Sequence, residues 1–229
     1  MNRIHETAIV GHGVVFGDGN VVGPFSVILG PCRIGDGNWI GPNVVIGTPG
    51  ETRGGSHPAA WDGDEGVGPI EIGDRNVIRE FATVQQGWVD ATRIGDDCYI
   101  MTKAHIPHDG QLGDSVTVSC SVMIGGHTVI GSGANVGLGA VVHQKRVIGA
   151  GAMVGMGSVV TRDVPPFAMA YGSPAATRGA NKIGLARAGF DEATVNAVDE
   201  LLRQGEDVSG LLPGEMRRFQ ESIDRVAQH

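Results

Sequence analysis

Eight histidines occur in the chain, and several of them fall on or beside one arithmetic column. His108 plus eighteen is Gly126, and eighteen more is Gln144; His127 and His143 stand one residue off that column. His105 precedes His108 by three residues, and Asp109 follows it directly. A histidine near neutral pKa suits proton transfer, and a neighbouring carboxylate can fix its tautomer and stabilise its cation. A glycine N–H beside it could donate to a developing oxyanion. Base, orienting carboxylate and oxyanion donor together suit acyl transfer. Two alternatives compete with that chemistry. His105, His108 and His127 could ligate Zn²⁺, since three histidines and a water make a catalytic zinc site. Water-solvated histidines on a non-catalytic scaffold would bind no ligand at all.

The column has meaning only if the chain repeats every eighteen residues, and it does. Val10, Phe16, Val22, Ile28, Ile34, Ile40 and Ile46 are spaced by six, and six of the seven are followed by glycine. The ladder restarts at Ile72, Ile78 and Val84, shifts by four, and runs unbroken from Ile94 to Val160 through twelve apolar positions. No helix has a period of six. Short strands joined by tight turns can hold it, three strands making a triangular coil with one apolar side chain per strand pointing inward. Glycine is expected at the turns for its conformational freedom. The count is 22 hexads, or about seven coils. Residues 1–166 therefore read as a parallel β-helix.

Two segments break the register. The longer is 48–69, TPGETRGGSHPAAWDGDEGVGP. A long loop within a compact solenoid points to function. Trp61 is suited to stacking on a sugar or base, and Asp62, Asp64 and Glu65 to accepting hydroxyl hydrogen bonds. The shorter break, near Gln85–Thr92, reads as a bulge or small loop. Val164-Pro165-Pro166 ends the repeats, and 167–229 reads as a mainly helical extension that caps the stack. Asp191 is the expected N-cap of one helix stopping at Gly205, and a second is expected from about Pro213 to Val226.

Composition narrows the remaining choices. The chain has 229 residues, 38 of them glycine, with 5% aromatic residues and a formal net charge of −8. The acidic balance argues against a nucleic-acid surface. Three cysteines without CxxC spacing suggest neither a disulfide framework nor a zinc-thiolate site. There is no apolar segment of membrane-spanning or signal-peptide type, so a cytoplasmic protein is expected.

Several segments carry a resemblance. IEIGDRNVIRE (70–80), AHIPHD (104–109), IGGH (124–127), AVVHQ (140–144), MVGMGSVVTRDVPP (153–166) and GANKIGLARAGF (179–190) resemble the UDP-N-acetylglucosamine acyltransferases of lipid A synthesis. The resemblance covers almost the whole chain. It implies a left-handed β-helix and a homotrimer with active sites between subunits. It also implies acyl transfer from acyl carrier protein to a sugar-nucleotide hydroxyl, with no cofactor beyond the donor's own phosphopantetheine and no metal; for this chain the expected acceptor group is a hydroxyl or an amine of a sugar nucleotide. Carried over residue by residue, His108 resembles the general base, Asp109 the residue that orients it and Gly126 the oxyanion donor. His105, His127, His143 and Gln144 resemble substrate-positioning residues, and Asn181 and Arg187 part of a nucleotide-contacting segment. Met156 stands where the family has its hydrocarbon ruler, which implies a medium or short acyl chain. The chain departs from the family pattern in the 48–69 loop, at Ile183 and Ala188, and at Gln85 in place of a histidine. A CoA-dependent sugar acetyltransferase on the same fold is the alternative enzyme, and a zinc-dependent, carbonic-anhydrase-like protein the alternative chemistry.

Overall fold

The computed structural model describes residues 1–53 and 68–228. Within them, short strands run from β1 (Arg3–Ile4) to β25 (Ala175–Ala180). They form three sheets of ten, eight and seven strands in which every third strand is a neighbour. Successive coils pair in parallel and in register, as in His105↔Met123 and Met123↔Val141. The molecule is a left-handed parallel β-helix.

From Val22 onward the period-six residues are the core, while Val10 is exposed and Phe16 half-buried at the open end of the stack. Ile28, Ile46, Val84, Ile106, Ile130 and Val160 are fully buried. Each such side chain contributes ~1.5–3 kcal/mol of burial, so a register of this length leaves no competing face to turn inward. Where glycine follows a core residue, as it does after Ile130, its role differs from the one its type suggests. At Gly131 the backbone is not left-handed, and a Cβ there would lie 2.5 Å from Ala150 N and 2.8 Å from Ala150 Cα in the next coil. Its absence lets the coils stack closely. The left-handed residue comes two positions later and is often not glycine: Asp109, His127 and Lys145 have φ of +57°, +58° and +58°.

The third sheet is joined to the second by three turns that matter for the site. β8 (Val45–Thr48) leads to β9 (Ile70–Ile72), β11 (Thr83–Gln85) to β12 (Thr92–Ile94), and β14 (His105–Ile106) to β15 (Gln111–Leu112). Both interruptions of the repeat and the His108 turn thus share one edge of the prism, on consecutive coils. Trp61 and Asp62 lie outside the described residues.

Past the repeats the chain does more than form helices. β24 (Ala168–Gly172) continues the first sheet in parallel, and β25 returns antiparallel to it. The short α1 (Lys182–Arg187) and α2 (Glu192–Gln204) follow, α2 capped by Asp191 and stopped by left-handed Gly205. α3 (Pro213–Ala227) folds back along the outside of the third sheet, where Phe219 and Val226 pack on Val147.

Candidate active site

The edge between the second and third sheets gathers the histidines. His108 sits in the turn between β14 and β15. One coil along, Gly126 and His127 lie between β17 (Met123–Ile124) and β18 (Val129–Ile130). A further coil along, Gln144 lies between β20 (Val141–Val142) and β21 (Val147–Ile148). His108 Nδ1 is 2.7 Å from Asp109 Oδ2. His127 Nε2 is 3.6 Å from the same oxygen, and the two imidazoles meet edge to face with centroids 5.1 Å apart.

Asp109 is buried and held from behind. Its Oδ1 accepts the N–H groups of Trp88, Val89 and Asp90 at 3.0, 2.8 and 2.7 Å. Burial acts to raise its pKa, but the bonds from His108 and the three N–H groups outweigh that and hold the carboxyl at about 2. An ionised carboxylate only accepts. His108 Nδ1 must therefore carry the proton that Asp109 accepts, which leaves the Nε2 lone pair as the base. Burial lowers the pKa of His105, with Glu51 acting against it and His108 with it. Its Nδ1 is 2.8 Å from Thr83 Oγ1.

Gly126 is a steric requirement at this point. A Cβ there would lie 2.4 Å from His108 Cε1 and 2.5 Å from Nε2. The basic nitrogen thus rests directly over the Gly126 backbone. Among the described residues Gly126 N–H donates no backbone hydrogen bond, although its carbonyl accepts from Lys145 N at 2.9 Å. A carbonyl carbon held between Nε2 and this N–H would meet a base and an oxyanion donor together.

The remaining candidates are dispersed. His143 is exposed and its Nδ1 lies 3.0 Å from Gln144 O. Met156 is 75% exposed and lies on a different edge, that of the first and second sheets, between β22 (Met153–Val154) and β23 (Val159–Val160). Asn181 caps α1 by accepting Gly184 N–H, and its amide donates to Gly151 O at 2.9 Å. Within one chain, then, Met156 and Asn181 do not join His108. Four residues that residue type did not single out do join it. Gln85 Oε1 accepts His108 N–H at 3.3 Å, and Trp88, Val89 and Asp90 clamp the carboxylate. The sequence signal was the four-residue shift of the ladder between Val84 and Ile94.

Metal chemistry has a partial candidate here. Among the described residues, His108, Asp109 and His127 present ligand atoms within 4.8 Å of one another. His105 is not in that group, so the three-histidine set expected for zinc is not assembled. A cavity of about 660 Å³ lies elsewhere, on the third sheet under α3. Its wall residues Gln111 and Val129 also line the small hollow onto which Asp109 and His127 open.

A hexapeptide solenoid with a histidine–carboxylate pair set over a bare glycine defines a class, the β-helical acyltransferases. The comparisons with known proteins agree. Residues 163–209 match the family model described as UDP N-acetylglucosamine O-acyltransferase, domain 2, and residues 13–48 match the bacterial transferase hexapeptide. The acyl-[acyl-carrier-protein]–UDP-N-acetylglucosamine O-acyltransferase of Thermodesulfovibrio yellowstonii is 37% identical over 99% of this chain and 90% of its own. The protein of the same name from Paraburkholderia phymatum is 37% identical over 89% and 82%. LpxA from Acinetobacter baumannii superposes with a TM-score of 0.78 at 27% identity, over 98% of this chain and 96% of its own. The UDP-N-acetylglucosamine acyltransferase from Campylobacter jejuni gives 0.75 at 25%, over 99% and 93%. The chain belongs to the acyl-[acyl-carrier-protein]–UDP-N-acetylglucosamine O-acyltransferase family and is an acyltransferase.

Proposed function

We propose that this enzyme moves an acyl chain from acyl carrier protein to a hydroxyl of a sugar nucleotide, with His108 as general base. The observation that carries the reading is His108 Nε2 over Gly126, with Nδ1 held by an ionised Asp109. The acceptor hydroxyl oxygen attacks the thioester carbonyl while its proton passes to Nε2. The carbonyl oxygen becomes an oxyanion facing Gly126 N–H. The C–S bond then breaks, and His108 returns the proton to the thiolate. Each step uses groups already in place, which is how a preorganised site lowers a barrier.

The names of the relatives point to UDP-N-acetylglucosamine as the acceptor. His105, His127, His143 and Gln144 are assigned to substrate positioning at the same edge. Trp61 and Asp62 are assigned to acceptor choice, and Asn181 and Arg187 to the nucleotide. Because Asn181 and Met156 lie away from His108 in one chain, the reading includes a homotrimer whose neighbouring copy completes the site. Phe25, Phe81, Leu138 and Met156 support it: all are exposed along the edge between the first and second sheets. Such an apolar ridge favours a protein contact. We place the enzyme in the cytoplasm; none of the described helices is long and apolar enough to cross a membrane.

The test is a panel of acyl carrier protein and CoA thioesters crossed with several sugar nucleotides, run on wild type and His108→Ala. Wild type should prefer acyl carrier protein and UDP-N-acetylglucosamine. His108→Ala should fall by ~10²–10⁴-fold with an unchanged thermal midpoint. Preference for CoA would favour the acetyltransferase alternative. Near-normal turnover in His108→Ala would end the general-base mechanism. Stoichiometric zinc, with activity lost on chelation, would favour the metal alternative.

A further inference from the structure

We infer that Lys145 and Arg162, stacked over the catalytic edge, and Arg225, reaching in from α3, bind a phosphate ester of the substrate, foremost the diphosphate of the acceptor. The inference rests on the reading that the acceptor is a sugar nucleotide. Lys145 occupies the corner position one coil above His127, and its N–H donates to Gly126 O. Arg162 follows β23 in the shortened corner one coil further still, just before Val164 pairs with Ile148. Coils are spaced ~4.8 Å apart. The two cations are therefore one and two steps along the edge from the Gly126 backbone.

Two hollows open at this place. Arg225, in the last turn of α3, lines the hollow that contains Asp109 and His127. A second, of about 170 Å³, is walled by Lys145, Arg146 and Asp163 and closed by Ile223, Val226 and Ala227. The one carboxylate in that second hollow is engaged: Asp163 Oδ1 is 3.5 Å from Arg146 Nη1 and accepts Val147 N–H at 2.8 Å. Lys145, Arg162 and Arg225 form no ion pair with a described carboxylate. In a chain of net charge −8, these cations stand against Asp90 and Asp109 in the first hollow and Asp163 in the second, and offer an anion a partner at the reacting edge.

Distance selects the source of that anion. One sugar ring separates an acceptor hydroxyl from its anomeric diphosphate, a span matched by one or two coils. The donor's phosphate is separated from its thioester by the whole pantetheine arm and falls well beyond. Lysine and arginine are both phosphate binders, Lys as a compact charge and Arg as a fork.

The experiment is calorimetric titration of wild type, Lys145→Gln, Arg162→Gln and the double variant with UDP, UDP-N-acetylglucosamine and 4′-phosphopantetheine. The double variant should bind both uridine ligands at least about tenfold more weakly, with phosphopantetheine unaffected. Lys145→Arg should keep wild-type affinity. In turnover, the KM for the sugar nucleotide should rise by more than kcat falls. Loss confined to phosphopantetheine would keep the phosphate site and assign it to the donor. Unchanged affinity for all three ligands would overturn the inference. If wild type binds no uridine ligand, the acceptor reading fails on its own. Inorganic pyrophosphate then tests the site: binding that the double variant loses upholds it, and equal or absent binding refutes it.

Discussion

His108 works between two neighbours that leave its ring little freedom. Gly126 sets how close Nε2 comes to the backbone, and Asp109 sets which nitrogen is basic. Asp109 also stores pH-dependent stability. Its folded carboxyl is held at about 2, below the ordinary 3.8. Its contribution is therefore full above about pH 4 and is lost as pH falls toward 2, roughly 2 kcal/mol in all. Denaturant unfolding of wild type and Asp109→Asn should show a gap that narrows from pH 5 to pH 2.5. A gap independent of pH would remove the charged carboxylate from the account. Met156 makes a separate prediction. Each methylene denied burial forfeits ~0.8 kcal/mol, so four amount to roughly 3 kcal/mol, or about a hundredfold in selectivity. Wild type should prefer a medium or short donor, and Met156→Gly should shift preference to longer chains. An unshifted preference in competition between donors would retire the ruler.

Much of this residue-scale picture was legible in advance. Adding eighteen to His108 reaches Gly126 and Gln144 because intact coils preserve position. The same arithmetic fails through the 85–92 segment, where Asn76 and Cys98 pair across 22 residues. That is why the clamp on Asp109 was invisible: its donors are backbone N–H groups, and any residue type can supply those.

At the scale of the strand and its turn, the glycine after a core residue such as Ile130 is a spacing device. Gly131→Ala would set a methyl against Ala150 of the next coil, whereas at Gly210 nothing lies within 4 Å. Overpacking of this kind costs ~1–3 kcal/mol, so Gly131→Ala should lower Tm by at least about 2–4 °C and Gly210→Ala hardly at all. Equal midpoints would show that the coils separate freely. Periodicity announced which residues face inward but not why glycine recurs, since composition alone cannot separate conformational freedom from close stacking. The capping residues of α2 announced that helix, with Asp191 and Gly205 at its ends. The β24–β25 hairpin went unread because AMAYG and AATRGA lack the six-residue period and are mostly alanine and glycine, which strands disfavour.

For the whole molecule, the exposed ridge of Phe25, Phe81, Leu138 and Met156 and the dispersal of candidate residues over two edges carry one expectation. Light scattering at micromolar concentration should give three times the chain mass. A monomer with full activity would show that one chain holds a complete site. Handedness and assembly were not written in the repeat. A period of six is equally compatible with either winding and with any number of copies, so both came only through resemblance.

The two irregular coils have a consequence of another kind. A solenoid is a modular object in which each layer mainly supports the next, so one layer can be lengthened without upsetting the rest. Here both layers carry their added residues between strands of the second and third sheets, as His108 is, and the 85–92 bulge supplies the grip on Asp109. Trimming that bulge to a regular eighteen-residue layer would produce a smoother and sturdier scaffold, with the carboxylate released and the imidazole left to rotate. Irregularity in this architecture is thus a record of where chemistry was added, and a chain of unknown activity built on the same repeat can be searched by asking which edge keeps breaking its own metre.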